Sequence, residues 1–105
     1  MHKSNNMFDL KKAMELKKQM ESVQEKLNNI EVEGKSGDGA LTVSVYVTAN
    51  RDIKNIEISQ ALIDSGNKDH IEDLVMTAIT RAMDQAKNVA ESEARSMAMG
   101  GFPGM

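Results

Sequence analysis

"GKSGDGALTVSVYV", residues 34–47, decides between two folds. Glycines at 34, 37 and 39 invite a phosphate-cradling loop, but the dinucleotide and P-loop fingerprints stand between a strand and a helix. Here a strand follows: Leu41, Val43, Val45 and Val47 alternate with Thr42, Ser44, Tyr46 and Thr48, the period of two of an extended chain with one buried face. Upstream, Ile30 and Val32 alternate with Glu31 and Glu33. The stretch between them therefore predicts a glycine-rich hairpin loop, its glycines supplying positive φ. Downstream, "ANRD" (49–52) supplies turn chemistry, and Ile56 and Ile58 around Glu57 predict a third strand. The centre of the chain is a three-stranded antiparallel meander.

Outward from the meander the period changes. Before it, Ala13, Leu16, Met20, Val23, Leu27 and Ile30 recur in steps of three and four, a helix with a heptad-like seam. After it, Ser59 to Lys68 reads as a connector, and Asp69 with Glu72 as a capping box that opens a second helix. Ile71, Leu74, Val75, Ala78, Ile79, Ala82, Met83, Ala86, Val89, Ala90, Ala94 and Met97 form one apolar stripe on that helix. Its alanines at every fourth position from 78 to 94 predict the close approach of another helix. "GGFPGM" (100–105) cannot continue a helix and predicts a mobile Gly/Met/Pro tail. The expectation is an α+β chain, ordered helix, three-stranded antiparallel meander, long helix, with a single domain over 1–99 and a tail over 100–105.

Composition narrows the chemistry. The 105 residues suit one small domain, with 40% hydrophobic and 28% charged residues. Without cysteine there is neither disulfide nor thiolate metal site. His2 and His70 are the only histidines, and no second histidine stands at ligand spacing, so neither a metal nor a cofactor is expected. One Tyr, two Phe and no Trp leave little aromatic surface to stack on bases. The methionines Met14, Met20 and Met83 read as adaptable interface filling; Met97, Met99 and Phe102 offer a contact for a partner. No nucleophile and base, and no pair of carboxylates, stands at catalytic spacing, so neither an enzyme nor a small-molecule substrate is expected. No apolar run approaches the ~20 residues of a membrane span, and the chain is read as cytoplasmic.

Charge is sorted along the molecule. Residues 3–18 carry Lys3, Lys11, Lys12, Lys17 and Lys18 against Asp9 and Glu15, a local +3, whereas residues 19–33 carry Glu21, Glu25, Glu31 and Glu33 against Lys26, a local −3. The bland alternative is a solvated face, with Asp9 and Lys12, Glu15 and Lys18, and Lys17 and Glu21 at helical contact spacing. A locally basic tip can nevertheless engage phosphates despite the total of −3, because exposed charges more than ~8 Å apart are largely screened at physiological salt. The first helix runs toward the sheet and the second away from it, so the start of one and the end of the other are expected side by side. The apolar seams are also too long for a three-stranded sheet to cover, which predicts a second chain. Candidates for that interface and for the core are Leu16, Met20, Val23, Leu27, Leu74, Ala78, Ala82 and Ala86.

"VEGKSGDGALTV" (32–43), "IEIS" (56–59), "IEDLV" (71–75) with the Ala-rich helix behind it, and the Gly, Met and Pro tail together resemble the YbaB/EbfC family of bacterial nucleoid-associated proteins. The resemblance covers nearly the whole chain. It implies an intertwined homodimer in which strands of both chains form a central layer and projecting helices hold duplex DNA like tweezers in the nucleoid. Candidate DNA-binding residues are Lys11, Lys12, Lys17 and Lys18, with Arg95 from the neighbouring helix end. The competing reading is a helical homodimeric interaction module that docks a protein without binding DNA.

Overall fold

The computed structural model describes residues 2–98, with side chains for residues 9–97. Lys3, Met99, Phe102 and the expected tail of residues 100–105 lie outside what it describes in full. The element order is α1 (His2–Asn28), β1 (Glu31–Asp38), β2 (Leu41–Thr48), β3 (Ile53–Ile58), α2 (Gln60–Asp64) and α3 (Lys68–Ala98). The strands form one antiparallel sheet in the order β1-β2-β3.

The glycine-rich stretch is mostly strand, not loop. β1 runs through Gly34 to Asp38, which pairs with Leu41, and the connection shrinks to Gly39 and Ala40, with Gly39 at φ 56°. Gly34 is there because α3 crosses on top of it: a Cβ at Gly34 would lie 2.2 Å from both the Ala78 carbonyl oxygen and the Ala82 nitrogen. Beside it, the buried Ser36 hydroxyl donates to the Leu74 carbonyl at 2.6 Å. The first three alanines of the stripe accordingly meet the sheet and not another helix, while Ala94 is exposed. Ala78, Ala82 and Ala86 are wholly buried with Val43, Val45 and Val47 of β2 and Leu62 of α2. Small residues on both sides allow helix and strand backbones to close up.

Three further features differ from the sequence reading. The connector holds a short helix: the Ser59 side chain caps it by accepting from the Leu62 N–H at 3.3 Å, and Leu62 plugs the end of the core. Five residues are too few for periodicity to reveal. The cap of α3 is Asn67, whose Oδ1 accepts from the His70 N–H at 3.1 Å, so Asp69 already lies inside the helix. The third strand also begins earlier than expected, at Ile53, after a turn in which Arg51 takes φ 68°, and the register shifts between Tyr46 and Val47 so that Val47 pairs with Ile53.

The molecule is a rod. Its Cα radius of gyration is 20.5 Å and its extents are 73 × 23 × 16 Å, against the ~13 Å radius of a compact domain of this length. The elongation comes from α1, which is fastened only at its end. Leu27 is buried there, Lys26 pairs with Glu93 of α3 at 2.8 Å, the Asn50 amide donates to the Gln24 carbonyl at 3.1 Å, and the Ala49 N–H donates to the Ile30 carbonyl at 2.9 Å.

Candidate functional site

Beyond its base, α1 stands clear of the body. From residue 9 to residue 26 only Gln19 and Val23 are even half-buried. Lys11, Lys12, Lys17 and Lys18 are all exposed on this projecting segment. At about 100° per residue, Lys11 and Lys18 turn away from the seam, while Lys12 and Lys17 flank it. Lys17 approaches Glu21 at 4.0 Å; with both side chains largely in water, such a pair holds little energy and leaves the ammonium available.

Arg95 is not at this tip. The Lys26–Glu93 pair fixes the antiparallel register of the two helices, so Arg95 lies near the level of residue 24 of α1. That is about 9 Å along the axis from Lys18 and about 20 Å from Lys11. The described part of α3 ends at Ala98, short of the lysines. The two outer ends are therefore not side by side as expected, because α3 spends its first turns lying along the sheet.

The other sequence candidates divide by position. Leu27, Ala78, Ala82 and Ala86 are buried, and Leu74 packs half-buried against the same core. Val23 is half-buried, whereas Leu16 and Met20 are 58% and 67% exposed. A second apolar surface, missed in the sequence, lies over β3. Ile56 pairs with Val45 and Ile53 with Val47, which places both isoleucines on the α3 side of the sheet, yet both are exposed. The seat of α3 explains this: the helix lies on β1 and β2, its backbone against Gly34, and Arg81 reaches across β1 to donate to the Lys35 carbonyl at 2.8 Å. Ile79 and Met83, about 200° round the helix from Arg81, face the opposite flank. They border the strip of β3 that α3 leaves uncovered. The signal was present in the alternation of Ile56 and Ile58, but only the placement of α3 shows that the strand is left uncovered.

The opposite face of the sheet is mainly acidic. It carries Glu31 and Glu33 on β1, and Glu57 on β3, around Tyr46, with Lys35 of β1 opposite Ser44. The Tyr46 phenol is held above its usual pKa by its hydrogen bond to Glu33, with desolvation and the charges of Glu33 and Glu57 adding to the effect. Among the described residues no group of three or more His, Cys, Asp or Glu is placed to hold a metal ion. None of their helices is long and apolar enough to cross a membrane. Within the described chain the cations that extend furthest from the acidic body are those of α1.

The family described as the YbaB/EbfC DNA-binding family matches residues 2–102. A nucleoid-associated protein of Rhodopseudomonas palustris is 36% identical over 91 residues, covering 87% of this chain and 85% of the relative. One of Acetivibrio thermocellus is 33% identical over 98 residues, covering 91% and 85%. Among solved structures, the uncharacterized protein HP0035 from Helicobacter pylori superposes with a TM-score of 0.70 at 21% identity, covering 82% of this chain and 88% of that one, a likeness of fold. The family is one of DNA-binding proteins and not of enzymes.

Proposed function

Because the chain belongs to the YbaB/EbfC DNA-binding family, we propose that it is a nucleoid-associated protein which binds duplex DNA as a homodimer, through backbone phosphates and with low sequence specificity. The observation that carries this reading is the projection of α1. A helix fastened at one end holds Lys11, Lys17 and Lys18 in water, well away from the carboxylates of the sheet. Nothing need move for a polyanion to reach them. Phosphate contacts of this kind position a protein without reading bases, which fits a protein that coats a chromosome.

The same projection supports the homodimer. Leu16 and Met20 form a stripe in water on α1, and Ile53 and Ile56 are exposed on β3, one of the two edge strands of the sheet. A second copy covers both surfaces at once by self-complementary pairing, and brings strands of the two chains into one layer. Light scattering at micromolar concentration is expected to give twice the 11.5 kDa of one chain. The double variant Leu16→Gln/Met20→Gln is expected to weaken that association at unchanged net charge. A parent protein that remained a folded monomer would remove the architectural basis of the proposal.

Exposed apolar surface also supports the second reading, a module that docks a protein without binding DNA. Salt separates the two. Duplexes of unrelated sequence are expected to bind with similar affinity, and log K to fall steeply with log salt as counterions are released. Apolar docking responds little to salt. Fluorescence anisotropy at several salt concentrations decides; no binding to any duplex at low salt overturns the DNA reading.

A further inference from the structure

Leu10 and Met14 sit among the lysines of α1 but off its seam. They are 64% and 57% exposed. At about 100° per residue they lie about 100–140° round the helix from Leu27, the side chain that marks the inward direction. A partner chain seated on the seam of Leu16 and Met20 therefore leaves them uncovered. The charges around them are arranged by sign. Lys17 lies about 40° to one side of the Leu10–Met14 line, and Lys18 and Lys11 about 60° and 80° to the other, whereas Asp9 and Glu15 lie about 120° away. Glu21 falls in line with the pair and ends the face on the side of the body, where the chain turns acidic. The result is an apolar strip between two cationic borders.

We propose that this face of α1 seats in the major groove of duplex DNA, with Leu10 and Met14 against thymine C5-methyl groups and Lys11, Lys17 and Lys18 on the flanking phosphates. The proposal rests on the phosphate-binding reading above and adds a base preference to it. Size selects the groove: a helix is about 10–12 Å across, which the ~12 Å major groove admits and the ~6 Å minor groove does not. Chemistry selects the base, since thymine alone of the four offers a methyl group on the major-groove edge. Spacing agrees, because Leu10 and Met14 are about 6 Å apart along the helix, within two base-pair steps of ~3.4 Å. Two apolar contacts of this kind bias binding toward A·T-rich duplex without imposing a defined site.

The test compares an A·T-rich duplex with the same duplex carrying deoxyuridine for thymidine, which deletes only the methyl groups. A G·C duplex with and without 5-methylcytosine supplies the converse. The parent is expected to lose about fourfold in affinity for each methyl contact removed, to gain by a similar factor on methylation, and to keep its salt slope throughout. The variant Leu10→Ala/Met14→Ala, altered at two exposed sites, is expected to keep its helical content and to bind all four duplexes alike. Equal affinity of the parent for the thymine and uracil duplexes, with salt-dependent binding intact, overturns the methyl contact and leaves the phosphate reading standing. Absence of binding to every duplex overturns both.

Discussion

Gly34→Ala is expected to lower the melting temperature by roughly 12 °C or more and to loosen α3 from the sheet. The new methyl would lie 2.2 Å from the Ala78 carbonyl oxygen and 2.2 Å from the Ala82 nitrogen, both backbone atoms of a helix. No rotamer change relieves a clash with backbone. Either α3 rises off β1 as a body, stripping contact from Ala78, Ala82 and Ala86, or β1 sinks and disturbs its pairing with β2. Overpacking a tight core costs about 1–3 kcal/mol when side chains can yield, and here they cannot, so ~3 kcal/mol is a lower figure. For a domain of this size each kcal/mol is worth about 4–8 °C. Gly39→Ala is the control. Nothing lies within 4 Å of a Cβ there, and only the left-handed backbone at φ 56° resists, at about 1–2 kcal/mol. Thermal melts followed by circular dichroism check both. Equal, small effects at the two glycines would mean that α3 does not lie on β1 this closely.

Replacing Lys11, Lys12, Lys17 and Lys18 together by Gln is expected to leave the fold and its association nearly intact and to remove most of the affinity for DNA. All four are exposed, and exposed substitutions usually shift stability by ~0.5 kcal/mol or less each. Each phosphate contact contributes a salt slope of about 0.9, equivalent to about eightfold in affinity between 1 M and 0.1 M salt. Loss of three contacts then amounts to several hundredfold at 0.1 M and makes the slope shallower by about 2.7. Lys12, on the far flank of the seam, adds a fourth contact only if the duplex wraps that side, which would bring the change to about 3.6. Single reversions to Lys in the quadruple variant rank the positions, and Lys11 and Lys18 are expected to restore the most. Parent and variant with the same affinity and slope would show that the lysines form a solvated face and that DNA is held elsewhere.

Local pattern carried much of the architecture into view. The alternation of Leu41, Val43, Val45 and Val47, the heptad spacing from Ala13 to Leu27, and the stripe from Ile71 onward each follow from the period of one element, so the order helix, meander, helix is legible without coordinates. The clustering of lysines before residue 19 is equally a property of the linear chain. What sequence could not supply was which surfaces meet. A glycine within a glycine-rich run reads as loop, and only the crossing of α3 shows that Gly34 is a strand residue kept bare for a helix backbone. An alanine stripe reads as a helix–helix contact, because small residues permit close approach without naming what approaches.

Placement along the rod belongs to tertiary structure for the same reason. Helix lengths were readable, but the relative axial position of α1 and α3 depends on the Lys26–Glu93 pair and on Leu27 entering the core, contacts between residues far apart in the chain. That offset removes Arg95 from the lysine tip. The seating of α3 on β1 and β2 leaves Ile53 and Ile56 open, and the direction of Leu27 places Leu10 and Met14 away from the seam. Periodicity and charge, which are local, determined the elements and the sign of the tip; the relative placement of those elements, set by packing between distant segments, decided which faces remain exposed.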